Sequence, residues 1–388
     1  MRFLFLLALF SVSAFSQENA FLTPMGAYEG IAANTGIARD GSVGSVIYNP
    51  GGMVSIKSSK LSASGSAFSQ NQITLKGPDG TDDVRYFQTT PAQISTVFTN
   101  KNFNWAFSIL VPKASKFDLK STDNNGVTTN STYEDQETVF GPSIGLALSN
   151  KLKIGLSVFA SKRDYRLTSS AYYEDGVGAV TQARKEDING ITAYPILGIL
   201  FTPSENFSTG LRFSGPSSSL SGNLEDNVMT ADNSGLGIGN SNVTKKGNAT
   251  LHKPMELGLG FSVRASENLK ILLDVTNQFK KEYEAVKEDV FGDNVSFNYK
   301  NTQRYNMAFE YMTSHTDALT FGLMYNPDPE KDSNLNFIGG TIGYRSLDEI
   351  ADSSFGLFYN QASDKSDGIE QKQMMVGLFI STSINFTK

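Results

Sequence analysis

The sequence predicts an all-β protein, a transmembrane antiparallel β-barrel of about fourteen strands with its N-terminal segment packed in the lumen as a plug, or hatch. Three observations predict it. Apolar residues alternate with small and polar ones in one segment after another. Very short turns alternate with long polar connections between those segments. The stretch from Gly26 to Ile56 has many glycines and few bulky side chains, so it cannot bury a core of its own. If it is ordered, something larger surrounds it.

In chain order, Met1-Arg2 is a short basic start, Phe3 to Phe10 an apolar run, and Ala14-Phe15-Ser16 a small-x-small cleavage site. Residues 1–16 therefore read as a secretory signal peptide. The apolar run is too short to span a bilayer, and no later run reaches the ~18 apolar residues of a membrane helix. A barrel hides its apolar face by alternation, which fits the mean hydropathy of −0.24. The 388 residues include no cysteine, which excludes a disulfide scaffold, cysteine metal sites and thiol chemistry. A net charge of −6 argues against nucleic acid as a partner. No Pro- or Ser-rich linker divides the rest of the chain into separate domains. Residues 17–57 read as the hatch and 58–388 as the barrel.

Within the hatch only Ser45 to Tyr48 looks strand-like, and Asn49-Pro50-Gly51-Gly52 marks a turn. Barrel strands are expected to start near residues 60, 84, 103, 134, 151, 185, 207, 249, 269, 298, 318, 335, 353 and 371. The last is the plainest. Met374, Val376, Leu378, Ile380, Ile384 and Phe386 share one face, while Gly377, Ser381, Ser383 and Asn385 share the other. Phe103-Trp105-Phe107-Ile109-Val111 and Leu257-Leu259-Phe261-Val263 repeat the pattern. Short turns fall at 100–102, 149–151, 203–206 and 265–268. Long loops are expected at 76–83, 113–133, 171–184, 222–248 and 282–297, which gives periplasmic turns on one side and outer loops on the other. Phe103, Trp105, Phe207 and Tyr325 sit where interfacial aromatic belts need them.

Ala32-Ala33-Asn34 and Tyr48-Asn49-Pro50-Gly51 resemble the hatch of the FadL/TodX family of outer-membrane hydrophobic-compound transporters, which carry Asn-Pro-Ala where this chain has Asn-Pro-Gly. Leu251-His252-Lys253-Pro254, Glu256 to Gly260 and Asp274-Val275 resemble consecutive strands of the family barrel. Met307 to Tyr311, Phe321-Gly322 and Tyr325-Asn326-Pro327 resemble the next pair. The resemblance implies a monomer in the outer membrane of a Gram-negative-type bacterium, in contact with its lipid. It implies passive uptake of long-chain fatty acids or other hydrophobic compounds. Asn49, Pro50, Gly51 and Gly52 would form the gate. Ligand would leave sideways near a kinked third strand, here Leu110-Val111-Pro112, where proline removes a ladder donor. The alternative for Pro112 is that it only ends its strand at the loop.

A fatty-acid carboxylate needs a cation in an otherwise apolar pocket. Alternation places Arg163, Lys280 and Arg304 on the inner wall toward the outer end, and Arg212 near mid-height. The alternative for each is an ion pair with Asp or Glu across the barrel, which is the commoner arrangement for a wall charge. His315 falls in a periplasmic turn and His252 reads as a solvated loop histidine, so no catalytic dyad, metal site or cofactor is expected. Two other functions remain open: an adhesive or structural barrel that binds a partner through its outer loops, and a general porin. A plugged lumen would argue against both.

Overall fold

The computed structural model describes residues 23–386 apart from 78–79, 102, 123–126, 175–177, 234–238, 332 and 367–368. The expected signal peptide, residues 1–16, lies outside the described residues. In chain order the strands are β1 (Lys60–Gly77), β2 (Gly80–Thr99), β3 (Phe103–Thr122), β4 (Thr128–Ala147), β5 (Leu152–Glu174) and β6 (Ala179–Ser204). Then come β7 (Phe207–Ser214), β8 (Ser218–Asp232), β9 (Ser241–Asn248), β10 (Glu256–Arg264), β11 (Leu269–Gln278), β12 (Lys281–Val286) and β13 (Val295–Tyr299). The last are β14 (Thr302–Met312), β15 (Asp317–Asn326), β16 (Phe337–Leu347), β17 (Ala351–Ser366) and β18 (Ile369–Asn385). All pairings are antiparallel. β18 closes on β1 with Lys60 opposite Asn385, and β5 closes on β6. Leaving out the two hairpin arms β8–β9 and β12–β13, fourteen strands form the closed wall.

The outward faces are the apolar ones. Leu257, Leu259, Phe321, Ile342, Leu357 and Ile380 are all exposed, as lipid-facing positions must be. Trp105 stacks on Phe98 with ring centroids 4.2 Å apart, and Phe386 meets Phe98 edge-on at 5.9 Å. These rings lie beside the short turn 100–102, at the periplasmic rim of the lipid band.

The expected long loops are mostly strand. Lys113 opposite Glu137 to Thr122 opposite Thr128 stay paired within the expected loop 113–133, and within 171–184 the β5–β6 ladder runs on to Glu174 opposite Ala179. Above the lipid the outward face of these strands turns polar and the apolar residues, Phe117, Tyr133 and Tyr165 among them, point inward, so the outward apolar alternation vanishes while the backbone ladder continues. The strand expected from 249 starts at Glu256 instead. Residues 249–255 leave the ladder, and Leu251 turns into the bore, 4 % exposed.

At one height β1, β2 and β3 all slip phase. β1 is irregular between Ser66 and Phe68, and its pairing with β2 shifts between Ser66 and Ser69. β3 shifts against β4 between Leu110 and Lys113. The β2–β3 ladder runs only from Thr99 opposite Asn104 to Gln93 opposite Leu110. Beyond that fork β2 pairs with β1 and β3 with β4, and the two edges part. Pro112 therefore lies inside a strand that continues to Thr122; it does not end the strand. Bulges of this kind change which way the following side chains point.

The hatch fills the lower bore. Ser45–Tyr48 forms a one-turn α-helix, α1, and Gly30–Ala32 and Pro50–Ser55 form 3-10 turns. The strand expected at Ser45–Tyr48 does not form, because the wall strands at this depth are paired on both sides. The segment meets its backbone needs locally instead, with Asn49 N–H donating to Ser45 O at 2.9 Å.

Candidate functional site

The hatch is tied to the wall on every side. Asn104 Nδ2 donates to the carbonyls of Met53 (2.8 Å), Val54 (3.1 Å) and Ile56 (3.0 Å). Ser157 donates to Val46 O at 2.6 Å, Ser208 to Ala38 O at 2.9 Å, Asn306 to Ala33 O at 2.6 Å and Thr341 to Ile31 O at 2.6 Å. Asp274 accepts the N–H groups of Gly36 (2.6 Å) and Ile37 (2.9 Å). Buried backbone groups that a plug would otherwise leave unpaired are thus met by short wall side chains.

Asn49 is the centre of this arrangement. Its Nδ2 donates to Ile37 O at 2.7 Å and Ile199 O at 2.9 Å, and its Oδ1 accepts Gly51 N–H at 3.1 Å, which caps the turn begun by Pro50. The wall admits this turn because it lacks side chains there. A Cβ at Gly198 would sit 2.1 Å from Asn49 Oδ1, and one at Gly155 2.3 Å from the Pro50 carbonyl carbon. A Cβ at Gly51 itself would lie 3.1 Å from Lys153 O, so glycine in place of the family's alanine eases a tight contact. Beneath, Arg39 donates to Glu310 Oε1 at 2.5 Å and lies 3.8 Å from Glu29. Burial pushes the Glu29 carboxyl above its ordinary value, with Arg39 pulling it back only in part.

Above the hatch lies a cavity of ≈ 90 Å³ whose lining includes Ile47, Pro112, Lys113, Arg163, Arg212 and Lys253. Ile47 belongs to α1, so the hatch contributes to this lining. Pro112 and Lys113 stand at the fork, so the chamber reaches the wall where the β2–β3 ladder ends. Its cations are paired. Arg163 forks onto Asp135 at 3.0 and 2.8 Å, and Lys113 reaches the same carboxylate at 2.5 Å. Lys253 pairs with Glu137 and lies 4.8 Å from the centre of the Tyr194 ring. Arg212 and Arg304 share Glu256 at 2.7 and 2.6 Å, and Arg212 Nε also donates to Ile47 O of the hatch at 2.9 Å. Five cations thus meet three carboxylates, while Asp274 nearby is engaged with hatch N–H groups. The surplus is positive, so the chamber favours an anionic group.

The outer side is closed by the β12–β13 hairpin. Ala285 and Val286 are buried among Ile73, Phe117, Tyr133, Tyr165 and Ile188 of five wall strands and Leu224 of β8. A segment that meets all of these lies across the bore. Arg184 holds its tip, donating to Asp289 at 3.1 Å and forking onto Asp226 at 3.1 and 2.9 Å.

The site residues expected from sequence divide unevenly. Arg163 and Arg212 line the chamber, and Arg304 reaches it through Glu256. Lys280 does not. β11 ends at Gln278, the chain turns toward the hairpin, and Lys280 is 59 % exposed beside Glu282, because alternation carries no information past a strand end. His252 is not a solvated loop histidine. It is partly buried, 3.3 Å from Ser217 O through Nδ1 and edge-on to Tyr283. Lys113 and Lys253 join the site without being among the expected cations. Lys113 points inward only because the slip at Val111-Pro112 reverses the phase of β3.

The sequence profile of a family described as outer membrane protein transport protein (OMPP1/FadL/TodX) matches residues 10–337. The chain belongs to this family. It is an outer-membrane transporter of hydrophobic small molecules and not an enzyme. A Pseudomonas aeruginosa FadL homologue superposes with a TM-score of 0.67 at 12% identity, covering 95% of this chain and 99% of that one. The P. putida toluene transporter TodX gives 0.69 at 12% identity, with 95% and 100% covered. The Ralstonia pickettii toluene transporter TbuX gives 0.67 at 14%, with 96% and 100% covered. At such identities these likenesses establish the fold. No curated protein sequence matches the chain.

Proposed function

We propose that this FadL/TodX-family barrel takes up hydrophobic compounds passively, that it accepts fatty acids or other amphiphiles with an anionic head, and that cargo leaves sideways through the wall. Cargo enters at the mouth by displacing the β12–β13 hairpin. Its apolar body meets the aromatic cluster of Phe117, Tyr133 and Tyr165, and its head meets Arg163, Lys113, Lys253 and Arg212. The observation that carries the lateral route is the position of Pro112-Lys113, at once a chamber wall and the point where β2 and β3 part. Gating by the hatch is supported by Arg212, which binds Ile47 O directly. An anion that draws on this guanidinium loosens one tie of the hatch. Toluene is the named cargo of TodX and TbuX, so a neutral aromatic compound is the competing substrate class.

The test is mass spectrometry of amphiphiles retained after gentle extraction, run beside planar-bilayer conductance. A retained carboxylate-bearing amphiphile, lost on Arg163→Met, and a silent bilayer support the reading. No retained amphiphile with a steady large conductance would move the assignment to a porin.

A further inference from the structure

Below the hatch, on the periplasmic side, a second space of ≈ 930 Å³ is lined by residues of the hatch and of β1, β10, β11, β14, β16 and β17. Its basic groups include Arg39, Lys60, Lys270 and Arg345. Two of them are already committed, Lys60 to Asp352 at 2.5 Å and Arg39 to Glu310 at 2.5 Å. The other two are not. Lys270 stands directly across the ladder from Glu310, yet among the described residues it makes no hydrogen bond or ion pair. Arg345 is 8 % exposed and its Nε has no hydrogen-bond partner. The guanidinium lies 4.9 Å from the centre of the hatch Tyr28 ring, and Nη2 reaches only the Met312 sulfur, at 3.7 Å. Glu310 thus faces Arg39, Lys270 and Arg345 and satisfies one of them by direct contact.

A buried guanidinium nitrogen without an acceptor is costly, and a second cation beside it raises the cost. An oxyanion removes both costs, because its oxygens accept from a guanidinium and an ammonium together. We propose that this vestibule binds a small oxyanion, a carboxylate or a phosphate, between Lys270 and Arg345. The site stands apart from the chamber above the hatch and does not depend on how cargo leaves. It has one consequence for the hatch. The anion sits beside the Arg39–Glu310 pair, competes with Glu310 for nearby positive charge, and rests against Tyr28, so occupancy reports from the periplasm to the plug.

The test uses the full chain in nanodiscs, with inorganic phosphate and succinate titrated separately by calorimetry at low ionic strength. Saturable binding of either supports the site and names its source, phosphate in one arm and carboxylate in the other. Lys270→Met is expected to weaken binding about tenfold or more, as loss of a charged hydrogen-bond donor does. Lys270→Arg is expected to restore it. Arg264→Gln, at an exposed cation on the rim, is expected to change it little. Hydrogen exchange of the amides from Gly26 to Ile56 should change on anion addition in the wild type and not in Lys270→Met. Absence of saturable binding by both anions, or equal losses in Lys270→Met and Arg264→Gln, would overturn the proposal.

Discussion

Replacing Asn49 by alanine removes the side chain on which the hatch turn depends. In the structure this amide is fully buried and serves Ile37 O, Ile199 O and Gly51 N–H at once. Alanine supplies no substitute for these three hydrogen bonds. Leaving the Ile37 carbonyl and the Gly51 amide unpaired costs about 1–3 kcal/mol each. The barrel is unaffected, since Asn49 belongs to no wall strand. The cost therefore falls on the equilibrium between seated and displaced hatch, about 2–6 kcal/mol, or roughly 30- to 20,000-fold. Hydrogen exchange read on peptides covering Gly26 to Ile56 measures this directly, with peptides from β15 and β16 as an internal control. Exchange in the hatch should rise by that factor while the control stays constant. A change smaller than about threefold would mean that the hatch is held elsewhere, and that Asn49 is only one of many equivalent ties.

Three further outcomes rest on the same geometry. Gly198→Ala places a Cβ 2.1 Å from Asn49 Oδ1, so it should displace the turn and raise hatch exchange in the same peptides, with an unchanged circular-dichroism melt of the barrel. Arg184→Ala breaks the ion pairs to Asp226 and Asp289 and leaves the hairpin tip held to Asp226 through Val290 N–H, a loosening that should speed ligand association in stopped-flow fluorescence more than it alters dissociation. For pH, the Glu29 carboxyl is raised by burial, so its contribution to hatch stability is present at low pH and is lost as pH rises through that raised value. Hatch exchange, corrected for its intrinsic pH dependence, should climb with pH in the wild type and stay level in Glu29→Gln.

The wall is legible in the sequence because lipid imposes a rule on each strand. Outward positions such as Leu257, Leu259 and Phe261 must be apolar, and their spacing marks the strand whatever its neighbours are. Where that rule lapses, so does legibility. Residues 113–133 look like a loop because their outward face is polar, although Lys113 to Thr122 pair with Thr128 to Glu137 and Phe117 and Tyr133 are buried on the inner face. Bulges hide further information. Lys113 counts as outward by alternation from Trp105 and Phe107, and only the slip beside Pro112 brings it to Asp135. Lys253 lies in the unpaired segment 249–255, where no periodicity exists to read, and Lys280 is misplaced when alternation is extended past Gln278. The hatch is recognisable by what it lacks, large side chains. Its ties to Asn104, Asp274 and Thr341 join residues far apart in the chain, and no local pattern announces them.

Transport as proposed depends most heavily on the sideways route, and the absence of native cysteine allows that route to be tested cleanly. Gln88 and Ala114 face each other across the fork, with Gln88 Nε2 donating to Ala114 O at 3.2 Å. Changing both to cysteine and bridging them with a short bismaleimide closes the gap between β2 and β3. The same bridge between Thr96 and Phe107, already paired in the ladder, serves as control. Uptake of a fluorescent fatty acid into the bilayer of proteoliposomes should fall to the protein-free rate when the fork is bridged and remain at the wild-type rate when the ladder pair is. Undiminished uptake with the fork closed would contradict lateral exit.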